Sequence, residues 1–74
     1  MKKVKFLLNW DKIQSLLIEK QIPIEEFVKW YSAISMAGSA YSVIRAIQEG
    51  KRITDRSTYL IMKVLNIKDI NLIM

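Results

Sequence analysis

Gly38-Ser-Ala-Tyr-Ser-Val-Ile-Arg-Ala-Ile-Gln-Glu-Gly-Lys-Arg52 is the stretch whose reading decides the fold. Its pattern predicts a tight turn at Gly38, one short helix, a stop at Gly50 and a basic pair. Ala40, Val43, Ile44 and Ile47 follow the i, i+3, i+4, i+7 spacing of a helical stripe turned into a core. Tyr41, Ser42, Arg45 and Glu49 fall off that stripe and are expected to face outward. Gly50 is placed to end the helix in a left-handed conformation, and Lys51 and Arg52 come after it, where the helix dipole is negative. A short helix with a polar, hydrogen-bonding face is an element that fits a DNA groove.

The segments on either side also read as helices. Asp11 is a good N-cap, and Ile13, Leu16 and Leu17 supply the apolar stripe of a first helix ending near Lys20, with Trp10 at one end of it. Gln21 and Ile22 make a short connection. Pro23 then opens a second helix where proline is tolerated, and Glu25 and Glu26 complement the dipole in its first turn. Phe27, Trp30, Tyr31 and Ile34 recur at helical spacing, which predicts one buried face running to about Met36. Beyond Arg52, Ile53-Thr54-Asp55 is expected to be a connection with Thr54 or Asp55 as N-cap. A fourth helix takes Tyr59, Leu60, Met62, Val64 and Leu65 and stops at Asn66, and Asp69 begins a last apolar turn through Met74. No linker or repeat divides the chain. The prediction is a single all-α domain over residues 1–74, of four to five short helices, with a helix-turn-helix around Gly38.

Residues 1–9 form a basic N-terminal arm leading into Phe6, Leu7 and Leu8. It is either a short strand or an extended arm, and two readings of its role stay open. Phe6 packs the arm onto the domain, or Lys2, Lys3 and Lys5 reach along a DNA backbone.

Composition narrows the function classes. The 74 residues carry a net charge of +5 and are 51% apolar, too apolar for a disordered tail. At this size a domain buries only about 60% of the surface its unfolded chain exposes. The basic balance favours an anionic partner, of which nucleic acid is the commonest. Cysteine and histidine are absent, so no disulfide framework or transition-metal site is expected, nor the usual general base of an enzyme. No cofactor is expected, and no catalytic residues. The N-terminal apolar run is cut short by Asn9, Trp10, Asp11 and Lys12, against a signal peptide. The longest uncharged stretch, from Trp30 to Ile44, is shorter than the roughly 20 residues of a membrane helix. A cytoplasmic protein is expected.

Ile-Glu-Glu-Phe at 24–27, the glycine turn at Gly38, Val43-Ile44 with Ile47, and Glu-Gly-Lys-Arg at 49–52 together resemble the lambda-repressor-like (Cro/CI, or XRE) DNA-binding domains. Tyr59-Leu-Ile-Met-Lys-Val-Leu-Asn-Ile67 and the adjoining Lys68-Asp-Ile-Asn-Leu72 are similar to that family's fourth and closing helices. The resemblance covers roughly residues 11–73. It implies a bundle of five helices whose third helix enters the major groove, with dimers on half-sites about one helical turn apart. Carried over by position, Ser39, Tyr41, Ser42, Arg45 and Glu49 belong to the recognition helix, with Tyr41, Ser42 and Arg45 facing base edges. Lys51, Arg52 and Arg56 lie near phosphates. The chain departs from the family in a longer segment between Glu26 and Gly38. It also has Ile24 where the family often has a phosphate-contacting glutamine.

Two functions compete on this fold. One is a transcriptional regulator of phage, prophage or plasmid type that occupies operator DNA. The other is an antirepressor, a protein-interaction module that docks on a repressor's DNA-binding domain and blocks it, for which Tyr41 and Ala46 suit an interface. Ile70, Leu72, Ile73 and Met74 either cap the core or form a homodimer seam.

Overall fold

The computed structural model describes residues 4–35 and 40–74. A short strand β1 (Lys5–Phe6) leads into helices α1 (Trp10–Glu19), α2 (Ile24–Ser35) and α3 (Ala40–Gln48). Strand β2 (Ile53–Thr54) comes next, then helix α4 (Asp55–Leu65) and a closing 3-10 turn, Ile70–Leu72. The chain is therefore mostly helical, as the all-α reading expects, with a two-stranded ribbon added. The expected turn at Gly38, the end of α2 at Met36 and the candidate Ser39 fall outside the described residues, as do Lys2 and Lys3 of the arm.

The ribbon decides the reading of the arm and corrects that of residues 53–55. Residues 53–55 are not a bare connection, and of the two forms expected for the arm the structure shows the short strand. Lys5 pairs with Thr54 and Phe6 with Ile53 in antiparallel register, and the Asp55 amide donates to the Val4 carbonyl at 3.1 Å. Ile53 is buried and Phe6 packs against the core beside it, so the ribbon ties the start of the chain to the turn between α3 and α4.

The helix ends among the described residues have local causes. The side chain of Asn9, rather than the expected Asp11, caps α1 by accepting from the Lys12 amide at 3.2 Å, and Asp11 sits in the first turn instead. An amide oxygen one residue ahead of the helix can reach the orphan donors; a residue already inside the first turn cannot. Pro23 sits just outside α2, where its carbonyl accepts from the Phe27 amide at 3.0 Å. Three helices end on a residue in the left-handed region: Gln21 (φ 58°) after α1, Gly50 (φ 76°) after α3 and Asn66 (φ 56°) after α4. In each the two amides at the stop turn back to bond carbonyls of the last turn, such as Lys51 N–H to the Ala46 carbonyl at 2.8 Å. Only Gly50 adopts this conformation without steric cost.

The core gathers Ile13 and Leu17 of α1, Phe27, Val28 and Tyr31 of α2, and Ala40, Ile44 and Ile47 of α3. Ile61 and Leu65 of α4 and Ile73 complete it. Helix α2 packs most extensively against α4, then against α3. Two predicted stripes are corrected in phase. The buried face of α2 centres on Phe27, Val28 and Tyr31, and at about 100° per residue this turns Trp30 and Ile34 onto its flank, where they are 42% and 41% exposed. On α4 the buried positions are Thr58, Ile61 and Leu65, while Tyr59 is exposed and holds Lys63 Nζ 5.6 Å from its ring centroid. Thr58 enters the core because its hydroxyl donates to the Thr54 carbonyl at 2.9 Å, so the buried oxygen has a partner.

At the C-terminus Ile73 is fully buried, and its carbonyl accepts from the Asn9 amide at 2.7 Å. That removes Ile73 from any dimer seam. It caps the core and joins the two ends of the chain, leaving Leu72 and Met74 exposed.

Candidate functional site

The outward face of α3 is set by its inward one. Ala40, Ile44 and Ile47 are buried and Val43 is half-buried. With that stripe fixed against the bundle, Tyr41, Ser42, Arg45 and Glu49 are all exposed, Tyr41 at 74%. Tyr41, Ser42 and Arg45 line one shallow recess of about 240 Å³. The spacing of these three residues on a nine-residue helix puts a phenol, a hydroxyl and a guanidinium within about one turn of each other. They form a compact set of donors and acceptors on a rigid support.

Gln48 belongs to the same face and sequence reasoning missed it. It is exposed and sits three residues after Arg45, so the signal was the i, i+3 spacing itself. An amide and a guanidinium at that spacing are two groups capable of bidentate contact with base edges.

The helix stop sets the course of the chain beyond it. Gly50 at φ 76° reverses the chain, and Lys51 and Arg52 leave it exposed at the carbonyl end of α3. Glu49 does not stand as an isolated acid: its Oε1 lies 3.8 Å from Lys51 Nζ. Both side chains are well solvated, so this pair holds them only weakly. Arg56 is exposed in the first turn of α4. That helix is capped by Thr54 Oγ1, which accepts from the Ser57 amide at 3.2 Å, and by Asp55 Oδ1, which accepts from the Arg56 amide at 2.8 Å.

The structure thus groups Tyr41, Ser42 and Arg45 in one recess and Glu49 with Lys51. It sets Arg52 and Arg56 on either side of the β2 ribbon strand. Among the described residues no three His, Cys, Asp or Glu side chains converge as a metal site. No helix among them is long and apolar enough to cross a membrane. Comparison with protein-family models, curated proteins and solved structures finds no match to this chain.

Proposed function

We propose that this chain is a small transcriptional regulator that occupies operator DNA, with α2 and α3 acting as a helix-turn-helix and the outward face of α3 lying in the major groove. The observation that carries this reading is the shared exposure of Tyr41, Ser42 and Arg45 on a helix whose opposite face is locked into the core. Arg45 reads guanine through its two-pronged guanidinium, Tyr41 and Ser42 make the neighbouring polar and apolar contacts, and Lys51, Arg52 and Arg56 hold phosphates. The net charge of +5 supplies the sequence-independent attraction. Leu72 and Met74 are exposed apolar groups available for pairing two copies on adjacent half-sites.

The test is selection of a preferred duplex from a random pool by the purified protein, with titration of that duplex at several salt concentrations. Arg45→Ala should lower the preferred-to-random affinity ratio by about 5- to 150-fold, from the ~1–3 kcal/mol of a bidentate base contact. Absence of any preferred duplex for the wild-type chain rejects the reading.

A second reading, an antirepressor that covers the DNA-binding domain of a repressor, is favoured by one observation. Tyr41 projects almost freely, and Trp30 and Ile34, one turn apart on the flank of α2, are also exposed. Aromatic side chains of this kind are enriched at protein interfaces. Under that reading Trp30→Ala weakens capture of a repressor domain encoded beside this chain and Arg45→Ala leaves every duplex titration flat.

A further inference from the structure

The N-terminal strand takes no part in groove recognition by α3, yet its register gives it a specific neighbourhood. Residues opposite each other in a ribbon share a face. Phe6 and Ile53 take the core face, so Lys5 and Thr54 take the outward one. Two residues on either side of Thr54 stand Arg52 and Arg56. Arg52 runs straight into β2 and is the diagonal neighbour of Lys5, a position roughly 7–8 Å away and within reach of long side chains; Arg56 stands in the first turn of α4, which packs against β1. Lys5 therefore lies against the segment that carries both arginines, which are 47 and 51 positions away in sequence.

All three side chains are exposed. Among the described residues the one ion pair is that of Lys51 with Glu49, so no described carboxylate lies at ion-pair distance from Lys5, Arg52 or Arg56. Arg56 also stands in the first turn of α4, at the positive end of the helix dipole, where a base is disfavoured. Asp55 offsets only part of this by accepting from the Arg56 amide. With three bases and the one acid Asp55, this segment is net positive beside a positive helix end. An external polyanion relieves the repulsion there.

We propose that Lys5, Arg52 and Arg56 form one phosphate-contacting edge, with β1 acting as a strut that holds Lys5 against the start of α4 on the backbone of bound duplex DNA. This rests on the operator-binding reading and adds the N-terminal strand to it as a second contact element, separate from the groove-facing side of α3. Its role is to position, so it carries no base preference.

The experiment measures affinity against salt for the full chain and for Lys5→Gln, Arg56→Gln and their double variant, on the duplex selected by the wild-type protein and on an unrelated one. Each single substitution should lower the slope of log affinity against log salt by about 0.9, and the pair by about 1.8. Both duplexes should weaken together, leaving the preference ratio unchanged, and Lys5→Arg should keep the wild-type slope. Thermal melting of each variant should equal or slightly exceed the wild type, because only exposed side-chain atoms change and each loss of a base relieves repulsion at the start of α4. If Lys5→Gln keeps the full slope while Arg45→Ala loses preference, operator binding stands and the strut is overturned. A lowered melting temperature with an unchanged slope overturns it too, leaving β1 a purely structural strand. Should the wild-type chain bind a repressor domain and no duplex at all, both readings fall together.

Discussion

The outward face of α3 and the edge built from β1, β2 and the start of α4 are both polar, but they are polar in different ways. On α3 the exposed groups are a phenol, a hydroxyl, an amide, one base and one acid, and the acid lies 3.8 Å from the nearby Lys51 ammonium. On the ribbon edge three bases stand exposed with no described carboxylate at ion-pair distance. A nearly neutral face rich in directional donors and acceptors suits discrimination between partners, because hydrogen bonds left unmade with the wrong partner are costly. An uncompensated positive edge suits attraction and registration, because Coulomb interaction with a polyanion is long-ranged and indifferent to sequence. On the operator-binding proposal, the two regions divide discrimination and attraction between them.

Both depend on one core, and the largest expected effect removes that support. Phe27 is fully buried where α2 meets its neighbours. Phe27→Ala should cost about 3–5 kcal/mol through lost burial and the cavity left behind. A 74-residue chain at roughly 0.05–0.15 kcal/mol per residue has only about 4–11 kcal/mol to lose. Urea denaturation monitored by circular dichroism should show the midpoint falling by at least about a quarter, and to near zero for a wild-type stability of about 4 kcal/mol. The α3 face and the basic edge should then fail at the same urea concentration. Loss of one region before the other would mean that they are not joined by a common core.

A smaller change separates them. Thr54 is both a ribbon residue and the N-cap of α4, accepting from the Ser57 amide at 3.2 Å while its carbonyl takes the hydroxyl of buried Thr58. Thr54→Ala removes the capping oxygen but neither the ladder pairing nor the carbonyl. The expected loss is about 1 kcal/mol, read as a lower urea midpoint with an unchanged m-value. Hydrogen exchange should accelerate at Arg56 and Ser57 and stay slow at Ile44 and Ile47. Equal acceleration in α3 would show that the two regions open as one unit.

How much of this was legible in the chain depends on the range of the interactions involved. The inward stripe of α3 and the stop at Gly50 are local: Ala40, Ile44 and Ile47 repeat at the helical period, and glycine is the residue that takes φ 76° without strain. The stops at Asn66 and Gln21 use the same geometry; asparagine signals it, whereas glutamine in the left-handed region carries no sequence cue. The phase of α2 was not local. Phe27, Trp30, Tyr31 and Ile34 all lie on a stripe wide enough for either centring, and the packing of α4 and α3 against α2 selects Val28 over Trp30. A short strand was among the forms open to the arm, but its partner and register were beyond reach. Lys5-Phe6 and Ile53-Thr54 are two residues each, too short for an alternating pattern, and their pairing joins segments far apart in sequence. The place of Lys5 against the segment that carries Arg52 and Arg56 is invisible until that register is known.

The least change expected, and the one that sharpens the comparison most, is at Glu49. It is the single acid on the outward face of α3, and its side chain is half exposed beside Lys51. The pair adds little to folding, since exposed ion pairs contribute about 0–1 kcal/mol, so Glu49→Gln should melt within experimental error of the wild type. Its effect on binding has a definite sign. Removing a negative charge next to a duplex strengthens association at low salt, and the gain fades as screening rises, with a Debye length of about 10 Å at 0.1 M. A gel-shift titration should therefore show several-fold tighter binding at low salt and convergence with wild type at high salt, equally on preferred and unrelated duplexes. If the gain is confined to the preferred duplex, Glu49 is reading bases rather than tuning charge, and the division between a discriminating face and an attracting edge no longer runs where the ion pair with Lys51 puts it. If the substitution instead weakens binding to a repressor domain, the acid is a contact for a basic protein surface. The outward face of α3 then belongs to an antirepressor.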